Sequence, residues 1–83
     1  MYKLLLVKKV EKELDSMPPV IAKRLVKALD ELGDLGIKSS NVKKLSVPLN
    51  GYRKRVGDYR ILFDIDHDII VVHRINKRSD AYR

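Results

Sequence analysis

Asn50-Gly51-Tyr52-Arg53-Lys54-Arg55-Val56-Gly57-Asp58-Tyr59-Arg60 decides the fold, because it reads as two strands joined by a two-residue turn. Glycine at the first central position of Gly57-Asp58 suits a type II′ turn, whose twist matches that of the flanking strands. That turn pairs Val56 with Tyr59, Arg55 with Arg60, Lys54 with Ile61 and Arg53 with Leu62. Side chains alternate along a strand, so Arg53, Arg55 and Arg60 share one face. Tyr52, Val56, Tyr59, Ile61 and Phe63 share the other. Like charges directly opposed destabilise a sheet, so Arg55 facing Arg60 needs a compensating reason: a docked polyanion would supply one, and two solvated guanidiniums splayed apart are the alternative. With Arg53 beside them, the arginines read as an anion site.

Upstream, Tyr2 to Val7 is apolar nearly throughout and is expected to form a central, buried strand. Val7, Val10, Leu14 and Met17 recur at spacings of three and four, the stripe of a short helix. Ser16-Met17-Pro18-Pro19 ends that helix, and proline suits the first turn of the next. Ile21, Leu25, Ala28 or Leu29, Leu32 and Leu35 form the stripe of a longer helix. Lys23, Arg24, Lys27, Asp30, Glu31 and Asp34 lie off it as a solvated face, and Gly33 and Gly36 act as stop signals. Residues 37–50 read as an irregular connection tacked to the core by Leu45 and Leu49. Strands are then expected at about 52–56, 59–65 and 69–75, with a tight turn at Asp66-His67-Asp68. The order strand, helix, helix, strand, strand, strand predicts an α+β fold: a helical hairpin on a mostly antiparallel four-stranded sheet. Ile61, Phe63 and Ile65 should lie beneath the helices, leaving the arginine face open.

Eighty-three residues make one small domain with no room for a second core. A net charge of +7, spread along the chain, favours nucleic acid, acidic lipid or an acidic protein as partner. Without cysteine there is no disulfide, no thiolate metal site and no cysteine nucleophile. The apolar run at Met1–Val7 is too short for a signal peptide or a membrane span, so a cytoplasmic protein with no membrane partner is expected. Asp64-Ile65-Asp66-His67-Asp68 opens like a calcium loop, but Ile69 and Ile75 occupy the places of its glycine and glutamate. His67 and His73 lack further ligands for zinc, and His73 reads as ordinary strand packing. There is no glycine-rich phosphate loop and no Gly-x-Ser-x-Gly elbow, so neither metal nor cofactor is expected. What remains is arginine, lysine and tyrosine. That set suits phosphodiester cleavage in RNA, where the ribose 2′-hydroxyl is a built-in nucleophile. The protein need only align it, stabilise the added negative charge and manage two proton transfers. Arginine's planar fork serves two phosphate oxygens together but stays protonated, whereas tyrosine stacks on a base or moves a proton.

The stretch Tyr52-Arg53-Lys54-Arg55-Val56-Gly57-Asp58-Tyr59-Arg60 resembles the central signature of the RelE/ParE toxin superfamily. Lys77-Arg78-Ser79-Asp80-Ala81-Tyr82-Arg83 resembles its closing pattern, and Lys43-Lys44-Leu45 and the order of elements agree as well. The resemblance covers nearly the whole chain and implies a RelE-like fold over residues 1–83. On the RelE branch it implies an mRNA interferase, the toxin of a toxin–antitoxin pair, which cuts mRNA in the ribosomal A site and inhibits translation. Position by position, it implies that Arg60 stabilises the scissile phosphate, Arg78 assists the leaving group, and Tyr82 stacks on or orients the nucleotide. Arg53 and Arg55 stand where well-studied members carry lysines, one of them a candidate general base. Arg55 is therefore grouped with the catalytic residues, and Arg53, Lys43, Lys44, Lys77 and Arg83 with those that bind RNA. The base is missing from its usual place, since alternation turns Lys54 to the opposite face; Tyr82 or a ribosomal group could serve instead. The implied partners are a cognate antitoxin, acidic to match the +7 charge, and operator DNA only through the toxin–antitoxin complex. ParE-type members instead inhibit DNA gyrase by binding it, and a degenerate toxin would keep only antitoxin binding. Both readings stand beside the nuclease.

Overall fold

Two helices lie across one face of a five-stranded mixed sheet in the computed structural model, which describes residues 1–45 and 51–77. The elements are β1 (Lys3–Leu6), α1 (Lys8–Asp15), α2 (Pro19–Leu35), a 3-10 turn (Gly36–Lys38), β2 (Val42–Lys44), β3 (Tyr52–Val56), β4 (Tyr59–Asp66) and β5 (Ile69–Lys77). α1 buries Val10 completely, and Val7, Leu14 and Met17 pack beside it, as their spacing requires. Pro18 caps α2 and Pro19 opens it, where a missing N–H leaves no hydrogen bond unmade. Leu25, Leu29 and Leu32 are the buried stripe of α2. Leu35 is 47% exposed, against expectation, because two successive steps of three residues rotate it off that stripe. Gly33 continues the helix, and Gly36, at φ 58°, ends it.

The hairpin has the register deduced from its turn: Val56 opposite Tyr59, Arg55 opposite Arg60, Lys54 opposite Ile61 and Arg53 opposite Leu62. Gly57 adopts φ 59°, as a primed turn demands, and His67 takes the same left-handed conformation (φ 57°) in the next turn. Tyr52 stacks on Phe63 across the strands, with ring centroids 5.6 Å apart. Buried Val10, Leu25, Leu29, Leu32, Ile61, Phe63, Ile70, Val72 and Ile75 make the core between helices and sheet.

Two expectations about the sheet need correction. The sheet order is β1-β5-β4-β3-β2, so there are five strands where four were expected. The fifth, β2, emerges from the stretch read as an irregular connection and pairs antiparallel with β3, Val42 opposite Lys54. Its Asn-Val-Lys-Lys sequence hides it, since only Val42 packs against the core. β1 is an edge strand, not a central one, and runs parallel to β5. Leu4 and Leu6 pack on the core while Leu5 is 43% exposed on the other side, so an apolar run here serves only one buried face. A bulge in β5 completes the pattern: Leu62 pairs with Arg74 and Phe63 with Val72, leaving His73 as the extra residue. It lets Ile70, Val72 and Ile75 all turn inwards despite the three-residue step between the last two.

Gly33, within α2, and Gly36, which ends it, should respond oppositely to alanine. At Gly33 an added Cβ would meet nothing nearer than the Tyr2 carbonyl oxygen at 4.0 Å, so Gly33→Ala should stabilise the fold by about 0.5–1 kcal/mol. At Gly36 the Cβ would overlap the Tyr2 ring at a positive φ, so Gly36→Ala should destabilise it. Urea unfolding of both variants, with Phe63→Ala at a cost of roughly 3–5 kcal/mol as reference, measures the contrast.

Candidate nucleic-acid interface

Register fixes which side chains meet on the sheet face turned away from the helices. One row crosses the sheet as Lys43, Arg53, Leu62 and Arg74, and the next as Arg55, Arg60 and Asn76. Neighbours within a row have Cα atoms roughly 4.5–5.5 Å apart, well within reach of arginine side chains. Arg53, Arg60 and Leu62 are half-buried, while Lys43, Arg55 and Arg74 are exposed. Leu62 therefore makes an apolar floor with Arg53 and Arg74 to either side and Arg60 two residues along its own strand. Arg55, opposite Arg60, bends along the turn, its Nε 3.4 Å from the Gly57 carbonyl oxygen. Arg74 lies 3.8 Å from the Glu13 carboxylate of α1, whose other oxygen accepts the Ile75 backbone N–H at 3.0 Å. Glu13 thus covers the edge of β5 beyond the reach of β1. The Asn76 side-chain oxygen is buried with no hydrogen-bond partner among the described residues.

Past Leu62 the face changes character. Asp64 accepts a hydrogen bond from His73 Nε2 at 2.6 Å, and both side chains are about half exposed. Gly51 lies alongside Asp64: a Cβ there would collide with the carboxylate and come within 3.0 Å of the Phe63 carbonyl oxygen.

Beneath the arginines, Lys54 turns to the helix side as alternation requires, and only 2% of it is exposed. Its ammonium donates to Glu31 Oε2 at 2.8 Å, to Ser39 Oγ at 2.6 Å and to the Ser40 carbonyl oxygen at 2.8 Å. The Ser39 hydroxyl also donates to Glu31, as do the Ser40 N–H at 2.9 Å and its hydroxyl at 3.0 Å. The Lys54 ammonium, then these serine donors, hold the Glu31 carboxyl down at about 2, against an ordinary value of 4.5.

Of the candidate residues, the structure brings Lys43, Arg53, Arg55 and Arg60 onto one face. Lys44 and Lys77 are parted from them: they pair with Tyr52 and Tyr59, which belong to the helix side. Arg78, Tyr82 and Arg83 lie outside the described residues. His73 is not ordinary strand packing but an exposed partner of Asp64. Sequence reasoning missed Arg74, Asp64 and His73 as members of the face. The signal was a break in phase, because strict alternation from Ile70 and Val72 would drive Arg74 into the core. Among the described residues no group of three His, Cys, Asp or Glu side chains could hold a metal ion, and no helix is long and apolar enough to cross a membrane. A shallow groove of about 600 Å³, lined by Arg24, Lys27, Ala28, Glu31, Asp34, Leu35 and Val56, lies on the α2 side, off the face that carries Arg53, Arg55 and Arg60.

The family model described as "ParE toxin of type II toxin-antitoxin system, parDE" matches residues 4–82. The sequence is 34% identical over 86 residues to Toxin RelE3 of Methanocaldococcus jannaschii, covering 96% of this chain and 94% of that protein. The fold superposes on the toxin of the RelB–RelE antitoxin–toxin complex from Methanococcus jannaschii with a TM-score of 0.76 at 30% identity, covering 94% of each chain. It superposes equally on the toxin–antitoxin complex RelBE2 from Mycobacterium tuberculosis, with a TM-score of 0.76 at 30% identity, covering 93% of this chain and 98% of that one.

The Glu31 network predicts a defined acid response. Because the folded carboxyl sits at about 2, below its ordinary 4.5, its contribution to stability is full above 4.5 and is lost as pH falls towards 2. Glu31→Gln should lower the urea midpoint at pH 7, where Lys54 loses its counter-charge, and flatten the dependence of stability on pH between 4.5 and 2. Urea titrations across that interval check both.

Proposed function

The chain belongs to the ParE toxin family of type II toxin–antitoxin systems and is RelE-like, and on that premise we propose that it is an endoribonuclease that cuts mRNA held in the ribosomal A site. The observation that carries this reading is the row of Lys43, Arg53, Leu62 and Arg74 beside Arg55 and Arg60 on one open sheet face. RNA cleavage through the 2′-hydroxyl asks the protein for charge stabilisation, alignment and proton transfer, not for a protein nucleophile. Arg60, seconded by Arg55, neutralises the extra charge on the scissile phosphate as the 2′-oxygen attacks it. Arg53, Lys43 and Arg74 take the flanking phosphates, and Leu62 gives the nucleotide an apolar floor. Arg78 assists the leaving oxygen and Tyr82 orients the nucleotide, by their likeness to the family's closing pattern. The products are a 2′,3′-cyclic phosphate and a 5′-hydroxyl. Binding by so many cations makes affinity fall steeply with salt.

The partner that restrains this activity is a cognate antitoxin. Relatives of known structure were crystallised as complexes of RelE with RelB, and a charge of +7 matches an acidic chain. Operator DNA is reached through that complex, and the working compartment is the cytoplasm, where ribosomes and mRNA are met. A second reading draws on the family model itself: a ParE-type toxin that inhibits DNA gyrase by binding it.

Primer extension on mRNA in translating ribosomes separates the two. Wild-type protein should give new cleavage sites within codons, and Arg60→Ala should lower the rate by about 100-fold or more with the fold retained, the usual cost of removing a group that meets transition-state charge. Intact mRNA with the wild-type protein, together with loss of supercoiling in a gyrase assay, would replace the nuclease with the inhibitor.

A further inference from the structure

The arginines of the face supply charge but no base, since guanidinium stays protonated at any working pH, and Lys43 stands on the edge strand β2, beyond Arg53. Lys54, the remaining cation of β3, points to the other side and is committed to Glu31. We infer that His73, held by Asp64, is the general base for this cleavage; the inference rests on the RNA-cleavage reading above.

Three observations converge on it. His73 is the residue that the β5 bulge leaves unpaired, and the bulge puts Arg74 on the outer face beside it. It follows Val72 and precedes Arg74, so it stands beside the Leu62 floor, diagonal to the row that carries Arg53 and Arg74. Imidazole is also the side chain that exchanges a proton near neutral pH. In the neutral ring the tautomer follows from the partner: a carboxylate only accepts, so Nε2 carries the proton given to Asp64 at 2.6 Å and Nδ1 keeps a lone pair. Carboxylate, imidazole and hydroxyl in sequence are the arrangement by which an imidazole is oriented and its charged form met by an acid. The charged groups around it are Asp64 from β4, Arg74 from β5, Arg53 from β3 across Leu62, and Glu13 from α1 at 3.8 Å from Arg74.

The step balances without a further reactant. The ribose 2′-hydroxyl gives its proton to His73 Nδ1, and the 2′-oxygen forms the new bond to phosphorus. The bond from phosphorus to the 5′-oxygen breaks, and that oxygen takes a proton from water. His73 leaves the step as imidazolium facing Asp64 and returns its proton to solvent.

The test is single-turnover cleavage of mRNA in translating ribosomes, followed from acid to alkaline pH, with wild type, His73→Gln, Asp64→Asn, Arg60→Ala and His67→Gln. His67 is the internal control, because it makes a like pair with Asp66 at 2.7 Å in an exposed turn and not on the arginine face. His73→Gln should lower the cleavage rate by roughly 100-fold to 10,000-fold, the range of general-base catalysis, and should abolish the rise of rate with pH on the acid side. Asp64→Asn should give a smaller loss, and His67→Gln none. His73→Gln that keeps the wild-type rate and acid limb while Arg60→Ala is impaired overturns the base and leaves the nuclease standing. His73→Gln that weakens only mRNA affinity also overturns it, making His73 a contact. Wild-type protein that cuts nothing overturns both.

Discussion

The fold turns on one lysine between two arginines. In β3 alternation allows either Lys54 to face the helices and Arg53 and Arg55 to face out, or the reverse. Burying an ammonium costs several kcal/mol unless it is paired and hydrogen-bonded. Glu31, Ser39 and the Ser40 carbonyl meet Lys54 where it points inwards, whereas a one-residue slip would thrust two guanidiniums under α2 in its place. The pair is thus a weak source of net stability and a strong constraint on register. It also ties three separate segments together: α2 through Glu31, the stretch after the 3-10 turn through Ser39 and Ser40, and β3 itself. Holding β3 in this register holds the arginine face in register too.

That dependence explains what could be read from the chain and what could not. The hairpin register was legible, because a two-residue turn and strict alternation are local rules and both arguments agree. So was the inward turn of Lys54, but not its partner: Glu31 is 23 residues away and reads as one more solvated acid on a helix. β2 was hidden because an edge strand needs one buried side chain, and a single valine among polar residues gives no periodicity. β1 was misplaced for the opposite reason, since its leucines serve one buried face and one exposed face alike.

The bulge shows the same limit at the site itself. Arg74 joins His73 on the face only because one residue of β5 goes unpaired, and pairing is a property of two strands. The chain does carry a trace of it. Ile70, Val72 and Ile75 cannot all lie inwards on a regular strand, and a regular strand would put Arg74 in the core with the first two. A break of phase that rescues a charged side chain from burial is a stronger indicator of a bulge than any single residue type.

Asp64 is the feature of the face that phosphate binding alone does not explain. A carboxylate beside Arg53 and Arg74 repels the anion those arginines would hold, so on a surface selected only for affinity it is a cost. Gly51, just before β3 and at φ 136°, leaves room for that carboxylate. His73 accounts for the acid. A carboxylate that accepts the imidazole N–H has one of its oxygens occupied, turns the ring, and leaves the opposite nitrogen ready to accept a proton. In the proposed cleavage the arginines hold the phosphate, while the acid among them serves the base that they cannot be.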